Sequence, residues 1–203
     1  MTLLYGRFDA MVDAVLAPLT PRLKCIDLFS GIGGFHIAAT NLGLDVVFAC
    51  DIDADTRTAY QHNFSLVPMG DIVSIKVEDI PDHDILLAGF PCQPFSIIGR
   101  QQGVADPRGT LFLEIIRIVR AKRPRGIVLE NVKQLSTVRH GGVLRDIMGQ
   151  LRELGYSVDY RVLNALDFGL PQKRERTIIV ATLPAFKTFP WPNGTVPMTP
   201  LAD

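Results

Sequence analysis

Residues 23–51, LKCIDLFSGIGGFHIAATNLGLDVVFACD, decide the fold. An apolar run leads into a glycine-rich turn, a segment with helical spacing follows, and a second apolar run ends at Asp51. We predict a strand over 23–29, a helix over 33–42 and a strand over 44–50. Strand, helix and strand joined by short turns form the unit from which parallel sheets are built.

The same alternation continues along the chain. Further helices are predicted over 54–63, 111–120 and 143–154, further strands over 84–90 and 126–130, and two β-rich stretches over 158–166 and 177–183. The strands are almost continuously apolar, which is typical of a sheet covered by helices on both faces. The sequence therefore predicts an α/β protein with a doubly wound, mostly parallel, Rossmann-like sheet.

Length and composition set the domain organisation. The chain has 203 residues, of which 47% are hydrophobic, and this is enough for one domain with a sizeable core. We place that domain at 23–183. A lead-in at 1–22 carries an amphipathic helix over 8–19, and a proline-rich linker follows at 184–203.

Charge and cysteine content exclude several classes of protein. Lys plus Arg and Asp plus Glu each total 21, so the net charge is zero, which argues against a nucleic-acid binder that acts alone. No apolar run approaches the ~20 residues of a membrane span, and no signal peptide is recognisable. The three cysteines fit a reducing cytoplasm, with Cys25 and Cys50 interpreted as core residues. No CxxC or HExxH motif occurs, so we expect no metal site.

The glycine-rich turn and the acid after the second strand predict a nucleoside site. Gly31 and Gly33 allow the backbone to approach a ligand, and Asp51 stands where an acid commonly accepts ribose hydroxyls. His36 occupies the third-glycine position of the dinucleotide fingerprint, so a nucleoside without pyrophosphate fits better than NAD. A tight turn with an acid at the start of a helix is the alternative.

The segment GFPCQPFS at 89–96 offers a candidate nucleophile. Cys92 follows a predicted strand, which places it at the same edge of the sheet as the glycine turn, and a proline on either side stiffens its loop. A thiolate there requires cationic or dipolar help to form near neutral pH. A buried loop cysteine is the alternative.

An acid and two arginines complete the candidate site. Glu130 ends an apolar strand, where partial removal from water favours the protonated carboxyl and suits proton donation. Gln172, Arg174 and Arg176 alternate, so in an extended chain they share one face that can hold base oxygens or phosphates. A strand-end residue bound by backbone donors and a solvated charge run are the respective alternatives.

Together these segments resemble the DNA (cytosine-5)-methyltransferase family over roughly residues 23–181. The resemblance rests on blocks in the family's order: DLFSGIGGF at 27–35, FACDID at 48–53, GDI at 70–72, GFPCQPFS at 89–96, GTLF at 109–112, ENV at 130–132 and LDFGLPQKRER at 166–176. Any one block is moderately specific, whereas PCQPFS followed by ENV and QKRER is very specific.

The resemblance implies a methyltransferase fold that uses S-adenosylmethionine and acts on DNA. The residues that it assigns to the cofactor are Phe29, Gly31, Gly33, Asp51, Ile52, Asp71 and Ile72. It implies that Cys92 attacks C6 of a flipped cytosine, that Glu130 contacts N3 and the exocyclic amine, and that Arg176 with Arg174 holds O2. The residues that it assigns to substrate binding or to the loop beside the substrate are Pro91, Gln93, Ser96 and Gln172.

Family members normally continue into a target-recognition domain and a further block that completes the cofactor pocket. We therefore expect the linker at 184–203 to lead into a missing domain. A second polypeptide, a truncated chain or fragment, and an N-terminal helix in place of the missing block are the explanations left open. For function, a non-catalytic relic that binds cofactor or DNA and a relative that methylates tRNA are the alternatives.

Overall fold

The computed structural model describes residues 22–91, 110–184 and 188–194. The strands are β1 (Lys24–Leu28), β2 (Asp45–Cys50), β3 (Ile85–Ala88), β4 (Gly126–Val132), β5 (Ser157–Asn164) and β6 (Glu175–Thr182). The helices are α1 (Gly34–Asn41), α2 (Ala54–Phe64), α3 (Thr110–Lys122) and α4 (Gly142–Glu153). Short 3-10 helices lie at Ile72–Ser74, Val77–Asp79, Lys133–Ser136, Val138–Gly141 and Ala165–Asp167. The predicted helix over 8–19 lies outside the described residues.

The strands form one sheet in the order β2-β1-β3-β4-β6-β5. The pairs β1–β2, β1–β3 and β3–β4 are parallel, whereas β6 is antiparallel to both of its neighbours. The connection at 165–174 is too short for the crossover that a parallel pair needs, so β5 and β6 form a hairpin. The predicted α/β architecture with a mostly parallel sheet is confirmed.

The core occupies both faces of the central strands. In β1 only the first of the five residues is exposed, because helices cover the sheet on each side. Ile26, Leu86 and Ile127 pack with residues of α3 and α4 in the larger cluster, and each has no exposed surface. Full burial of an aliphatic side chain contributes ~1.5–3 kcal/mol to stability.

Two cysteines belong to this core, as predicted. Cys25 and Cys50 are 0% and 1% exposed, and both are free thiols. Burial raises the pKa of both thiols to about 12, so neither forms a thiolate near neutral pH.

The carboxyl ends of the parallel strands share one edge of the sheet. The turn after β1, Asp51 after β2, Gly89 after β3 and Glu130 near the end of β4 all lie there. This edge is where open α/β sheets bind their ligands.

Two features are absent from the part of the chain that the structure describes. No helix there is long and apolar enough to cross a membrane. The same residues contain no group of His, Cys, Asp and Glu side chains placed to hold a metal ion.

Candidate active site

A cavity of about 300 Å³ opens at the carboxyl edge of β1, β2 and β3. The residues predicted from sequence that line it are Phe29, Asp51, Ile52, Asp71, Ile72 and Pro91. Cys50, Gly70, Gly89 and Leu111 line it as well and were not assigned to a site from sequence, although GDI, GFPCQPFS and GTLF contain three of them. We call this space the cofactor cavity.

The glycine-rich turn forms the backbone beside the cofactor cavity. Gly31 and Gly33 have φ angles of +52° and +97°, and Phe29 also has a positive φ of 55°. A Cβ atom on Gly33 would collide with the ring of Phe64 on α2, so this position requires glycine for both conformation and space. Gly31 and Gly33 are not among the residues that line the cavity, although the Gly31 amide binds Asp51, which does line it.

Backbone hydrogen bonds orient the two acids of the cofactor cavity. Asp51 accepts hydrogen bonds from the Gly31 amide at Oδ2 (2.8 Å) and from the Asp53 amide at Oδ1 (2.9 Å). Asp71 accepts one from the Val73 amide (3.0 Å) and caps the short helix that carries Ile72. Carboxylate oxygens have further lone pairs, so both acids can still accept bonds from a ligand.

A buried polar cluster lies beneath the glycine turn. Asp27 is fully buried in β1, and the Tyr60 hydroxyl lies 3.5 Å from its Oδ2. His36 Nδ1 is 2.7 Å from the same hydroxyl, and the His36 ring stacks on Phe64 with centroids 4.0 Å apart. Burial raises the pKa of Asp27 to about 8, so the carboxyl is largely neutral at pH 7. Sequence reasoning treated His36 only as a missing glycine and did not find this cluster.

Glu130 and Arg176 form an ion pair across the sheet. Arg176 Nε lies 2.7 Å from Glu130 Oε1, and the two side chains are 26% and 27% exposed. Antiparallel pairing sets Glu130 opposite Ile178 and Val132 opposite Arg176, so the two charged residues lie on one face, one step apart. The carboxylate is therefore partly buried and paired with a guanidinium.

The Glu130 carboxylate also lies next to the cofactor cavity. A Cβ atom on Gly89 would be 3.6 Å from Glu130 Oε2 and 3.9 Å from the Phe29 carbonyl oxygen. Gly89 thus separates the cavity from the ion pair by the width of one backbone. The acid and the cofactor cavity are therefore neighbours at one edge of the sheet.

A second depression of about 420 Å³ lies on the other side of the ion pair, and we call it the hairpin groove. Its polar lining residues are Glu130, Asn164, Arg174 and Arg176, and its apolar lining residues are Leu163, Ala165, Phe168, Leu170, Ile178 and Pro192. The groove is therefore lined by charged and apolar side chains together.

The structure brings Arg174 and Arg176 to the groove but not Gln172. The Gln172 amide donates to the Leu170 carbonyl (2.8 Å), and the chain bends there. Gln172 is exposed, and extended structure begins only at Glu175. The prediction that all three side chains share one face is therefore wrong for Gln172. It required an extended chain from residue 172 onward, whereas the strand begins at Glu175.

Asn131 supports the segment that leads to the candidate nucleophile. It is 2% exposed, and its Nδ2 donates to the Phe90 carbonyl oxygen (2.9 Å). Pro91 is the last described residue of that segment, and it lines the cofactor cavity. Cys92, Gln93 and Ser96 lie outside the described residues. Asn131 belongs to the ENV block, but only Glu130 in that block was assigned a role from sequence.

Comparison with known proteins gives a consistent result. The family model for C-5 cytosine-specific DNA methylase matches residues 23–201. The type II methyltransferase M.HaeII of Haemophilus aegyptius is 52% identical over 172 residues, which are 84% of this chain and 54% of that protein. M.NgoBI of Neisseria gonorrhoeae is 54% identical over 157 residues, which are 77% and 50% of the two chains.

A solved structure agrees with these relatives. The S. pombe Dnmt2 methyltransferase matches with a TM-score of 0.70 at 30% identity, covering 83% of this chain and 53% of that one. The chain therefore spans about half the length of the curated relatives it matches.

Proposed function

The chain belongs to the C-5 cytosine-specific DNA methylase family, and on that premise we propose that it is the catalytic core of an enzyme that transfers a methyl group from S-adenosylmethionine to C5 of cytosine in DNA. One observation carries the proposal: the cofactor cavity and the Glu130–Arg176 pair meet at one edge of the sheet, with only Gly89 between them.

The cofactor cavity suits a nucleoside that carries a positive charge. Its lining includes Asp51 and Asp71 but no lysine or arginine among the described residues, which disfavours a phosphate and favours a sulfonium. Phe29, Ile72 and Leu111 provide the apolar surface that an adenine ring needs. When bound, S-adenosylmethionine supplies an electrophilic methyl group.

In the proposed reaction, Cys92 acts as the nucleophile. Its thiolate sulfur bonds to C6 of cytosine, the C5–C6 double bond shifts to C4–C5, and the C4–N3 electron pair takes up a proton at N3. Transfer of the methyl group to C5 would break its bond to the sulfonium sulfur and release S-adenosylhomocysteine. The C5 proton then passes to solvent, the C5–C6 double bond re-forms as the Cys92 thiolate leaves C6, and N3 gives up its proton. Because C6 is out of reach in a stacked duplex, the base must be flipped out of the helix.

Glu130 and Arg176 make this addition possible by accommodating charge on the ring. Glu130 supplies or shares the proton at N3 and contacts the exocyclic amine, which makes C6 electrophilic. Arg176 holds O2, with Arg174 beside it in the hairpin groove. The 2.7 Å ion pair orients both groups before substrate arrives, so little reorganisation is needed.

We further propose that a second polypeptide carries the target-recognition domain, and that the enzyme works in the reducing cytoplasm. Three exposed apolar side chains, Ile32 (65%), Ile52 (74%) and Val73 (55%), lie in or directly beside segments that line the cofactor cavity. An apolar rim of this kind suits coverage by protein. The free, buried Cys25 and Cys50 fit a reducing compartment.

Transfer of a labelled methyl group tests the function. The chain is incubated with labelled S-adenosylmethionine and mixed-sequence DNA or tRNA, with and without the polypeptide encoded beside it. We expect label in DNA cytosine that depends on Cys92 and is lost in Cys92→Ser. Label in tRNA alone would establish the RNA alternative. Cofactor binding without transfer to either nucleic acid, with the neighbour present, would establish a non-catalytic relic.

A further inference from the structure

The described part of the segment predicted as an extended linker is anchored to the hairpin. We call residues 188–194, TFPWPNG, the Trp191 strap. The indole Nε1 of Trp191 donates to Asp159 Oδ2 (2.8 Å), and the Arg161 guanidinium lies over the indole ring, 5.6 Å from its centroid. The Phe189 ring packs edge-on against Trp191 with centroids 4.9 Å apart. Two different contacts thus hold the strap to β5, and the Phe189–Trp191 contact packs the strap on itself.

The anchor lies on the same face of the sheet as the ion pair. Asp159, Arg161 and Leu163 alternate along β5 and therefore share a face. Arg161 is opposite Ile178, and Ile178 is opposite Glu130, so these three residues form one cross-strand row. Arg161, which stacks on Trp191, is separated from Glu130 only by the width of β6.

Beyond Trp191, the strap runs toward the hairpin groove. Pro192 forms part of the groove lining, together with Glu130 and Arg176. Two residues later, Gly194 packs so closely on Asp167 that an added Cβ would collide with the Asp167 side chain and would lie 3.1 Å from its carbonyl oxygen. The strap is therefore held on both sides of Pro192, by Asp159 before it and by Asp167 after it.

We propose that the Trp191 strap is a positioning element of the target-base site, with Pro192 as the wall that fixes a flipped pyrimidine nucleoside against Glu130 and Arg176. This inference rests on the proposed function. The groove supplies chemistry for such a ligand, since the Glu130–Arg176 pair can meet the polar edge of the base. Leu163, Ile178 and Pro192 offer apolar surface to the ring and sugar.

The test uses the chain's single tryptophan, because its emission reports on the strap alone. Asp159→Ala removes the acceptor for the indole, whereas Asp159→Asn keeps an acceptor oxygen. Asp45→Ala, at the opposite edge of the sheet, is the matched control. We expect a red-shifted Trp191 emission, an approximately tenfold higher KM for DNA, and an unchanged kcat and Kd for S-adenosylmethionine in Asp159→Ala only. Asp159→Asn should restore the KM.

Two readouts separate this inference from the proposed function. If Asp159→Ala shifts the emission but its KM stays within twofold of the Asp45→Ala control, the strap is a structural anchor and the inference is wrong. If the wild-type chain transfers no methyl group, the same proteins are titrated with cytosine- and thymine-containing single strands. A cytosine-selective change in Trp191 emission that Asp159→Ala abolishes supports the inference, and an emission that responds to neither strand overturns it.

Discussion

The cofactor cavity and the hairpin groove are neighbours, yet they are built in different ways. The cavity is formed by turns after parallel strands, where backbone amides hold carboxylates such as Asp51. The groove is formed by an antiparallel hairpin, where strand register brings Arg176 to Glu130 and a strap returns along the edge strand. Local backbone geometry therefore determines the first region, and long-range pairing determines the second.

This difference predicts that the two regions fail independently. The largest difference between methyl transfer and cofactor binding is expected for Glu130→Gln. This substitution keeps the size of the side chain but removes its charge and its ability to transfer a proton. Methyl transfer should fall by about 10²–10⁴-fold, the usual contribution of a positioned acid or base. The Kd for S-adenosylmethionine, measured by calorimetry, should stay unchanged. The exposed Glu153→Gln is the control. If Glu130→Gln lost cofactor binding as strongly as methyl transfer, the two regions would not function independently.

The two regions also differ in how a carboxyl is accommodated. Glu130 is paired with Arg176, whereas Asp27 beneath the cofactor cavity is held neutral because burial raises its pKa to about 8. The unfolded chain ionises Asp27 near pH ~3.9. Between these values the unfolded state is favoured as pH rises, so this residue's contribution to stability is complete at low pH and is lost toward pH 8.

Asp27→Asn should remove this loss of stability with rising pH. Relative to the variant, the wild-type free energy of unfolding should decline by about 1.4 kcal/mol per pH unit between pH 5 and 7. Urea unfolding at several pH values measures this slope, with Asp45→Asn as the control. Parallel pH profiles for wild type and Asp27→Asn would show that Asp27 is ionised in the folded protein.

A smaller effect tests the backbone geometry of the cavity. Gly33→Ala should lower stability by about 1–2 kcal/mol, because an L-residue is strained at this φ and its Cβ would meet Phe64. It should also weaken cofactor binding without altering the hairpin. Gly34→Ala is the matched control, because open space surrounds its Cβ position. Thermal unfolding and cofactor titration measure both variants. Equal stability and equal cofactor affinity in Gly33→Ala and Gly34→Ala would contradict this prediction.

The same contrast explains which features the sequence could predict. The turn at Gly31, the acid at Asp51 and the place of Glu130 near the end of β4 follow from motifs and hydrophobic runs, because each depends on neighbours along the chain. The insertion of β6 between β4 and β5 does not, since strand order is not encoded in periodicity. The Glu130–Arg176 pair and the exclusion of Gln172 depend on that order and on the bend at Leu170.

Side-chain contacts between distant segments were also beyond sequence reasoning. Asp27, His36 and Tyr60 meet because α1 and α2 pack over β1, and the sequence pattern singled out only His36, as a residue in place of a glycine. Trp191 was placed in an extended linker, and its hydrogen bond to Asp159 joins residues 32 positions apart.

The central claim is that both regions serve one reaction through Cys92, and covalent trapping tests it most directly. A mixed-sequence duplex carrying 5-fluorocytosine is incubated with the chain and S-adenosylmethionine, with and without the polypeptide encoded beside it. Fluorine cannot leave C5 as a proton does, so the adduct should persist. We predict a chain–DNA adduct that maps to Cys92 and is lost in Cys92→Ser. Failure to form any adduct while cofactor binding is measurable, with the neighbouring polypeptide present, would contradict the account.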